Sequence, residues 1–303
     1  MDYKPILTFD TSAINHLADD PDSDALIARL TSGFHVRLTF MSISEVIATK
    51  NTHRNLNRRG RLVSLCRRLL FAGDAIDPQD VLLEKLITAF EGGSSFDWRS
   101  VDVGFPEAER ISCEENLSDE VSEEARAENR AINNKFKGFY AGMKPHYDKL
   151  FADGGAVRPA TFPESITRLK AGKTFVAMAR SLYEGGTKNR ATDAIVQRFL
   201  QECPPFHALM VALCAKRYDY YLRPPSSLSL EAGAADTFMA ACLAYCDLFV
   251  TADCGQLRCF REVVSFMELA VILKSYQEFR DGLVGARANA NSGFQSAALR
   301  RRA

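Results

Sequence analysis

The chain has 303 residues and a formal net charge of zero, with charged residues at 25%. That balance excludes a globally basic nucleic-acid binder and an acidic disordered chain, so any basic surface must be local. MDYKPILTFD has no basic start leading into a long apolar stretch, and no apolar run reaches the ~18 residues of a membrane span. A cytoplasmic protein without a membrane partner is expected.

Ile6 to Phe9 reads as a first strand, Thr11 to Ala18 and Ser23 to Leu30 as helices, and Val36 to Phe40 as a second strand. SISEVIATK opens a helix, with Ser42 as N-cap and Glu45 at capping-box spacing. From Asn51 to Leu222 the apolar spacing is helical, as in RLVSLCRRLL and VLLEKLITAF, and Pro106 to Asn129 is a Glu-rich, solvated helix. RPPSS from Arg223 is a break. Ala232 to Cys246 reads as one small-residue-rich helix, Leu248 to Thr251 as a buried strand, and a last strand is expected near Val263 before a final helix. Residues 281–303, finishing in LRRRA, read as a disordered basic tail. The eight cysteines form no CxxC and read as reduced core residues.

Strand–helix alternation at both ends points to one parallel α/β sheet, built from residues 1–50 plus 226–280. Residues 51–225 then read as an all-α insertion. Ligands of such sheets sit beyond the carboxyl ends of the strands. Asp10 and Asp253 follow strands, while Glu45 and Asp236 lie in first turns of helices at the same predicted edge. Each has a bland alternative: a helix cap, a capping-box partner, a favourable charge at a helix start, a turn residue. Converging carboxylates repel, and a cation relieves that repulsion. An all-oxygen donor set without histidine or cysteine points to Mg2+ or Mn2+ and to phosphodiester hydrolysis.

LTFDTSAIN (from Leu7), SISEVIA, AADTFMAACLAY and LFVTADCGQLRCF resemble the successive motifs of PIN-domain proteins, which include the ribonuclease toxins of bacterial toxin–antitoxin pairs. The resemblance covers residues 4–50 and 228–275. It implies a PIN-like three-layer α/β fold with a central, mainly parallel sheet. It implies a metal site of Asp10, Glu45, Asp236 and Asp253, with Thr251, Thr11 or Ser12 orienting carboxylates or waters and Asn15 at a position often polar. It implies a nuclease acting on RNA, with DNA as the alternative, that uses an activated water to leave a 5′-phosphate and a 3′-hydroxyl. A homodimer and an inhibitor or antitoxin-like partner are further implied. The long interval between Glu45 and Asp236 departs from compact members of the family. A PIN-like scaffold that binds RNA or protein without cutting is the rival expectation.

Competing chemistries lack their residues. Ser12 stands where a haloacid-dehalogenase phosphatase needs a second aspartate, GGTKNRATD lacks the Gly-Lys-Ser/Thr of a P-loop, and no Gly-x-Ser-x-Gly occurs. KNTHRNLNRRGRLVSLCRR follows the Glu45 helix and holds no acid. Arg54, Arg58, Arg59 and Arg61 are the expected phosphate-binding rim. The alternative is a solvated basic helix, or one paired with the acidic stretch Glu107 to Glu128.

Overall fold

The computed structural model describes residues 3–51, 57–71, 73–93, 95–105, 118–152, 157–187, 189–224, 226–230 and 232–285. Five parallel strands form one sheet in the order β3-β2-β1-β4-β5: β1 Ile6–Phe9, β2 His35–Thr39, β3 Gly73–Ile76, β4 Leu248–Thr251 and β5 Ile272–Ser275. The order doubles back beside β1. Leu7, Thr8 and Phe9 pair with Leu248, Phe249 and Val250 on one side, and with Val36, Arg37 and Leu38 on the other.

Alternation along the strands builds two cores, one on each face. Leu7, Phe9, Val36, Leu38, Leu248 and Val250 point into one core. It is shared with α1 Thr11–Asp19, α2 Ser23–Gly33, α3 Phe40–Ile47 and α4 Arg58–Leu70. Phe249 and Ile76 point into the other, with α5 Gln79–Gly92, α6 Asp119–Ala152, α7 Phe162–Ala171, α8 Thr174–Thr187, α9 Asp193–Glu202 and α10 Pro204–Arg217. The rest of that layer is α11 Ala234–Phe238, a 3-10 segment Met239–Tyr245 and α12 Cys254–Met267; α13 Tyr276–Gly285 closes the first face. The architecture is therefore a mixed α/β fold with an all-parallel sheet between helical layers.

α10 is buried almost all round, through Phe206, Leu209, Met210, Val211, Cys214 and Ala215. Such a helix belongs inside a core. It lies against the 3-10 segment and α12, so the helical middle of the chain covers the second face of the sheet.

Several sequence expectations need correction. The stretch 51–225 is not all helical, because β3 lies inside it and pairs with β2 from Val36–Gly73 to Thr39–Ile76. GDAI has a poor strand composition. It is secured instead by Arg37, which donates to both Asp74 oxygens at 2.6 Å. The last strand is Ile272–Ser275, and Val263 lies in α12, where Leu257, Phe260 and Val263 follow helical spacing. α12 ends at Glu268 in a left-handed conformation, φ 53°. The small-residue helix splits into a short α turn and a 3-10 segment, whose Ala240, Ala241 and Cys242 allow close packing on α10. Residues 281–285 continue α13 and are not tail; residues 286–303 lie outside the described residues. So do Arg54 and residues 106–117. Cys66, Cys203, Cys214, Cys242, Cys246 and Cys259 are buried free thiols as expected, whereas Cys254 is exposed. No described helix is long and apolar enough to cross a membrane.

Gly73 opens β3 where a Cβ would sit 1.6 Å from the Val36 carbonyl oxygen. Gly73→Ala should therefore lower stability in urea by about 1–3 kcal/mol. Gly138→Ala, in open space on α6, should raise it by about 0.5–1 kcal/mol. A neutral Gly73→Ala variant would contradict this strand pairing.

Candidate active site

Asp10 leaves β1 and caps α1, accepting from Ala13 N–H at 2.7 Å. Its carboxylate is only 2% exposed, so it needs hydrogen bonds or a counter-charge. Thr251, the last residue of β4, donates to it at 2.7 Å. The Ser12 hydroxyl lies 2.9 and 2.8 Å from its two oxygens and accepts from Ala252 N–H at 2.8 Å. Thr251 Oγ1 also accepts from Asp253 N–H at 2.9 Å. One network thus ties the end of β1 to the end of β4, and the expected supporting hydroxyls Ser12 and Thr251 both belong to it.

Asp253 caps α12 through Oδ1, which accepts from Gly255 and Gln256 N–H at 2.6 and 2.8 Å. The residue is exposed, and its second oxygen faces no donor among the described residues. Asp236 lies in the first turn of α11 as expected, accepting from Gly233 N–H at 2.7 Å and from Gln256 Nε2 at 3.1 Å.

Glu45 is half-buried in α3, one turn later than expected. That helix starts at Phe40, and Thr39 is its cap, accepting from Ser42 N–H at 3.0 Å. Ser42 and Glu45 therefore form no capping box. Ser42 instead donates to the Phe9 carbonyl at 3.0 Å, tying the α3 start to the strand that carries Asp10. Thr11 faces Glu45 and favours its ionised form, but its buried hydroxyl makes no well-formed hydrogen bond.

The carboxylates affect one another. Burial pushes Asp236 up to about 7; the charges of Glu45, Asp10 and Asp253 add to this, and the Gly233 N–H opposes it. Burial also raises Asp10, opposed by Ala13, Thr251 and Ser12 and reinforced by Asp253. Burial raises Glu45, opposed by Thr11 and reinforced by Asp10. None of the four is paired with a basic side chain among the described residues. The donor chemistry therefore fits a hard divalent cation: oxygen ligands, mutual repulsion and no basic partner. In this structure no three His, Cys, Asp or Glu side chains among the described residues are grouped so as to hold a metal ion.

Gln256 was not foreseen. It is fully buried, its amide nitrogen holds Asp236, and its Oε1 has no partner. The available signal was its place three residues after Asp253, on the first turn of a helix starting at this edge. Asn15 donates to the Thr11 carbonyl at 2.8 Å and accepts from Arg58 at 2.9 Å, so it lies beside the cluster as an α1–α4 link.

The expected arginine rim is largely paired. Arg58 and Arg61 lie 3.1 and 3.6 Å from Asp19. Arg59 is buried and donates to Asp119 at 2.8 Å, the acidic-stretch pairing anticipated as its alternative.

Comparison with protein-family models, with curated proteins and with solved structures finds no match.

A carboxyl raised in the folded state holds a proton that the unfolded chain has already lost. Its contribution to stability is complete below about 3.8 and falls as pH rises toward about 7. With chelator present, the melting temperature should fall between about pH 4 and about pH 7, and Asp236→Asn should flatten that fall. An unchanged slope in the variant would contradict a raised Asp236 carboxyl.

Proposed function

We propose that the chain is a metal-dependent nuclease of PIN-like type that hydrolyses RNA. The observation that carries this reading is the mutual influence of Asp10, Glu45, Asp236 and Asp253 at the β1/β4 switch point, with no basic side chain among the described residues to balance them. Asp10, Glu45, Asp236 and Asp253 would hold Mg2+ or Mn2+. When bound, the cation supplies positive charge against the scissile phosphate and acidifies water.

The protein residues have distinct tasks. Ser12 and Thr251 fix the Asp10 carboxylate, so its position does not drift when charge around it changes. Gln256 and the Gly233 N–H orient Asp236 from two sides. The preference for RNA and the 5′-phosphate product rest on the family resemblance, as do a homodimer and an inhibitor-type partner.

One observation favours a non-cutting scaffold. Asp10 and Asp253 already serve as helix caps, so both have a structural reason to be present without catalysis. It leaves Glu45 and the buried Asp236–Gln256 contact without a purpose.

Purified protein should cleave a mixed pool of structured and single-stranded RNA with Mn2+ or Mg2+ and not with EDTA. Asp10→Asn/Asp236→Asn should lower the rate at least about 100-fold. Cleavage that persists in the double variant would contradict this site, and cleavage absent under every condition would favour the scaffold.

A further inference from the structure

A cleft of about 450 Å³ opens beside the carboxylates, between α6, α10 and Ala232–Gly233. Gly233 joins the two features, because it lines the cleft while its N–H holds Asp236. α6 spans this side of the molecule. Arg126, near its start, donates to the carbonyl of Ala48 at the end of the Glu45 helix. Further along, Phe136 packs edge-on against Phe238, two residues past Asp236, with ring centroids 5.0 Å apart.

Arg130, Asn133, Asn134 and Lys137 share one helical face and line the cleft. None makes a side-chain hydrogen bond or ion pair among the described residues, in contrast to Arg58, Arg59 and Arg61. No acid lines the cleft among the described residues. Its inner wall is aromatic: Phe136, Tyr140 and Tyr220, with Tyr140 and Tyr220 stacked at 5.1 Å. Lys216 adds a buried charge over Tyr220, its ammonium donating to the Ala232 carbonyl.

We infer that this cleft is the binding groove for single-stranded RNA, with Arg130 and Lys137 on phosphates and the aromatic wall against the bases. Unpaired cations beside apolar rings suit a strand whose bases are unstacked and whose backbone is charged. The two asparagine amides both donate and accept, as recognition of a ribose 2′-hydroxyl requires. A strand lying in the cleft reaches the Asp236 carboxylate at its Gly233 end. The inference rests on the nuclease reading for its choice of substrate, and it assigns the substrate path to the helical middle of the chain instead of the α4 arginines.

The test is binding of a labelled single-stranded RNA to the full chain in EDTA, followed by anisotropy across salt concentrations. Arg130→Glu/Lys137→Glu should weaken binding at least tenfold and lower the salt slope by about 1.4, two phosphate contacts on a single strand. Both side chains are exposed and make no hydrogen bond or ion pair among the described residues, so the variant should keep the wild-type melting temperature. Arg58→Glu/Arg61→Glu should bind nearly as wild type. Equal weakening in both variants, or none in the first, would overturn the groove. Polyglutamate competing as well as RNA would overturn it too, by making the cleft a general polyanion site. Cleavage assays separate the two readings. RNA bound through the cleft but never cut keeps the groove and removes the nuclease. Metal-dependent cutting that is unchanged in Arg130→Glu/Lys137→Glu keeps the nuclease and removes the groove.

Discussion

The pairing of β1 with β4 sets where every group of the candidate site stands. Leu7–Leu248 through Phe9–Val250 brings the carboxyl ends of two strands side by side at the place where strand order reverses. Helices leaving those two ends start on the same edge of the sheet, which opens a crevice there in doubly wound folds. Asp10 and Thr251 are the first polar residues beyond that pairing, and they bond directly. Shifting β4 by one residue would turn Leu248 and Val250 out of the core. Register at the site is therefore enforced by burial, not by the polar network alone.

That arrangement is electrostatically costly. Burial raises the carboxyls of Asp10, Glu45 and Asp236; Asp253 adds to this at Asp10, Asp10 at Glu45, and Glu45, Asp10 and Asp253 at Asp236, and none has a basic partner among the described residues. Elsewhere ion pairs hold partly buried charges: Arg37 with Asp74, Arg280 with Asp20, Lys85 with Asp77. The contrast matters more than any single distance. Among the described residues, the carboxylates at the strand-order reversal have no such ion pair. Helix capping explains part of the placement of Asp10 and Asp253. It also explains one oxygen of Asp236, which accepts from the Gly233 N–H at the start of α11, but not the other, which is held by the buried Gln256.

Much of the sheet edge was legible because its elements follow strong local rules. Ile6–Phe9 and Leu248–Thr251 are short apolar runs that end in polar residues, and Asp10 and Asp236 fall where such patterns place helix starts. What escaped depended on partners distant in sequence. β3 is held by Arg37 and by close approach to Val36, neither visible in GDAI itself. β5 was displaced toward Val263 because paired valines favour strands locally, whereas burial of Leu257, Phe260 and Val263 decides for a helix. The arginine run looked like an open rim because its acidic partners, Asp19 and Asp119, come from other elements. Conversely, Arg130 and Lys137 follow directly on an acidic stretch, and only the packing of α6 reveals the face they share.

The central claim is that the four carboxylates await a divalent cation. Calorimetric titration of Mn2+ into the chelator-treated protein at about pH 6, in two buffers of different ionisation enthalpy, tests it most directly. The account predicts saturable binding with net proton release, because Asp236 is largely protonated below about 7 and must ionise to serve as a ligand. Glu45→Gln/Asp236→Asn should remove both the binding and the proton release. No saturable binding, or binding indifferent to these substitutions, would contradict it.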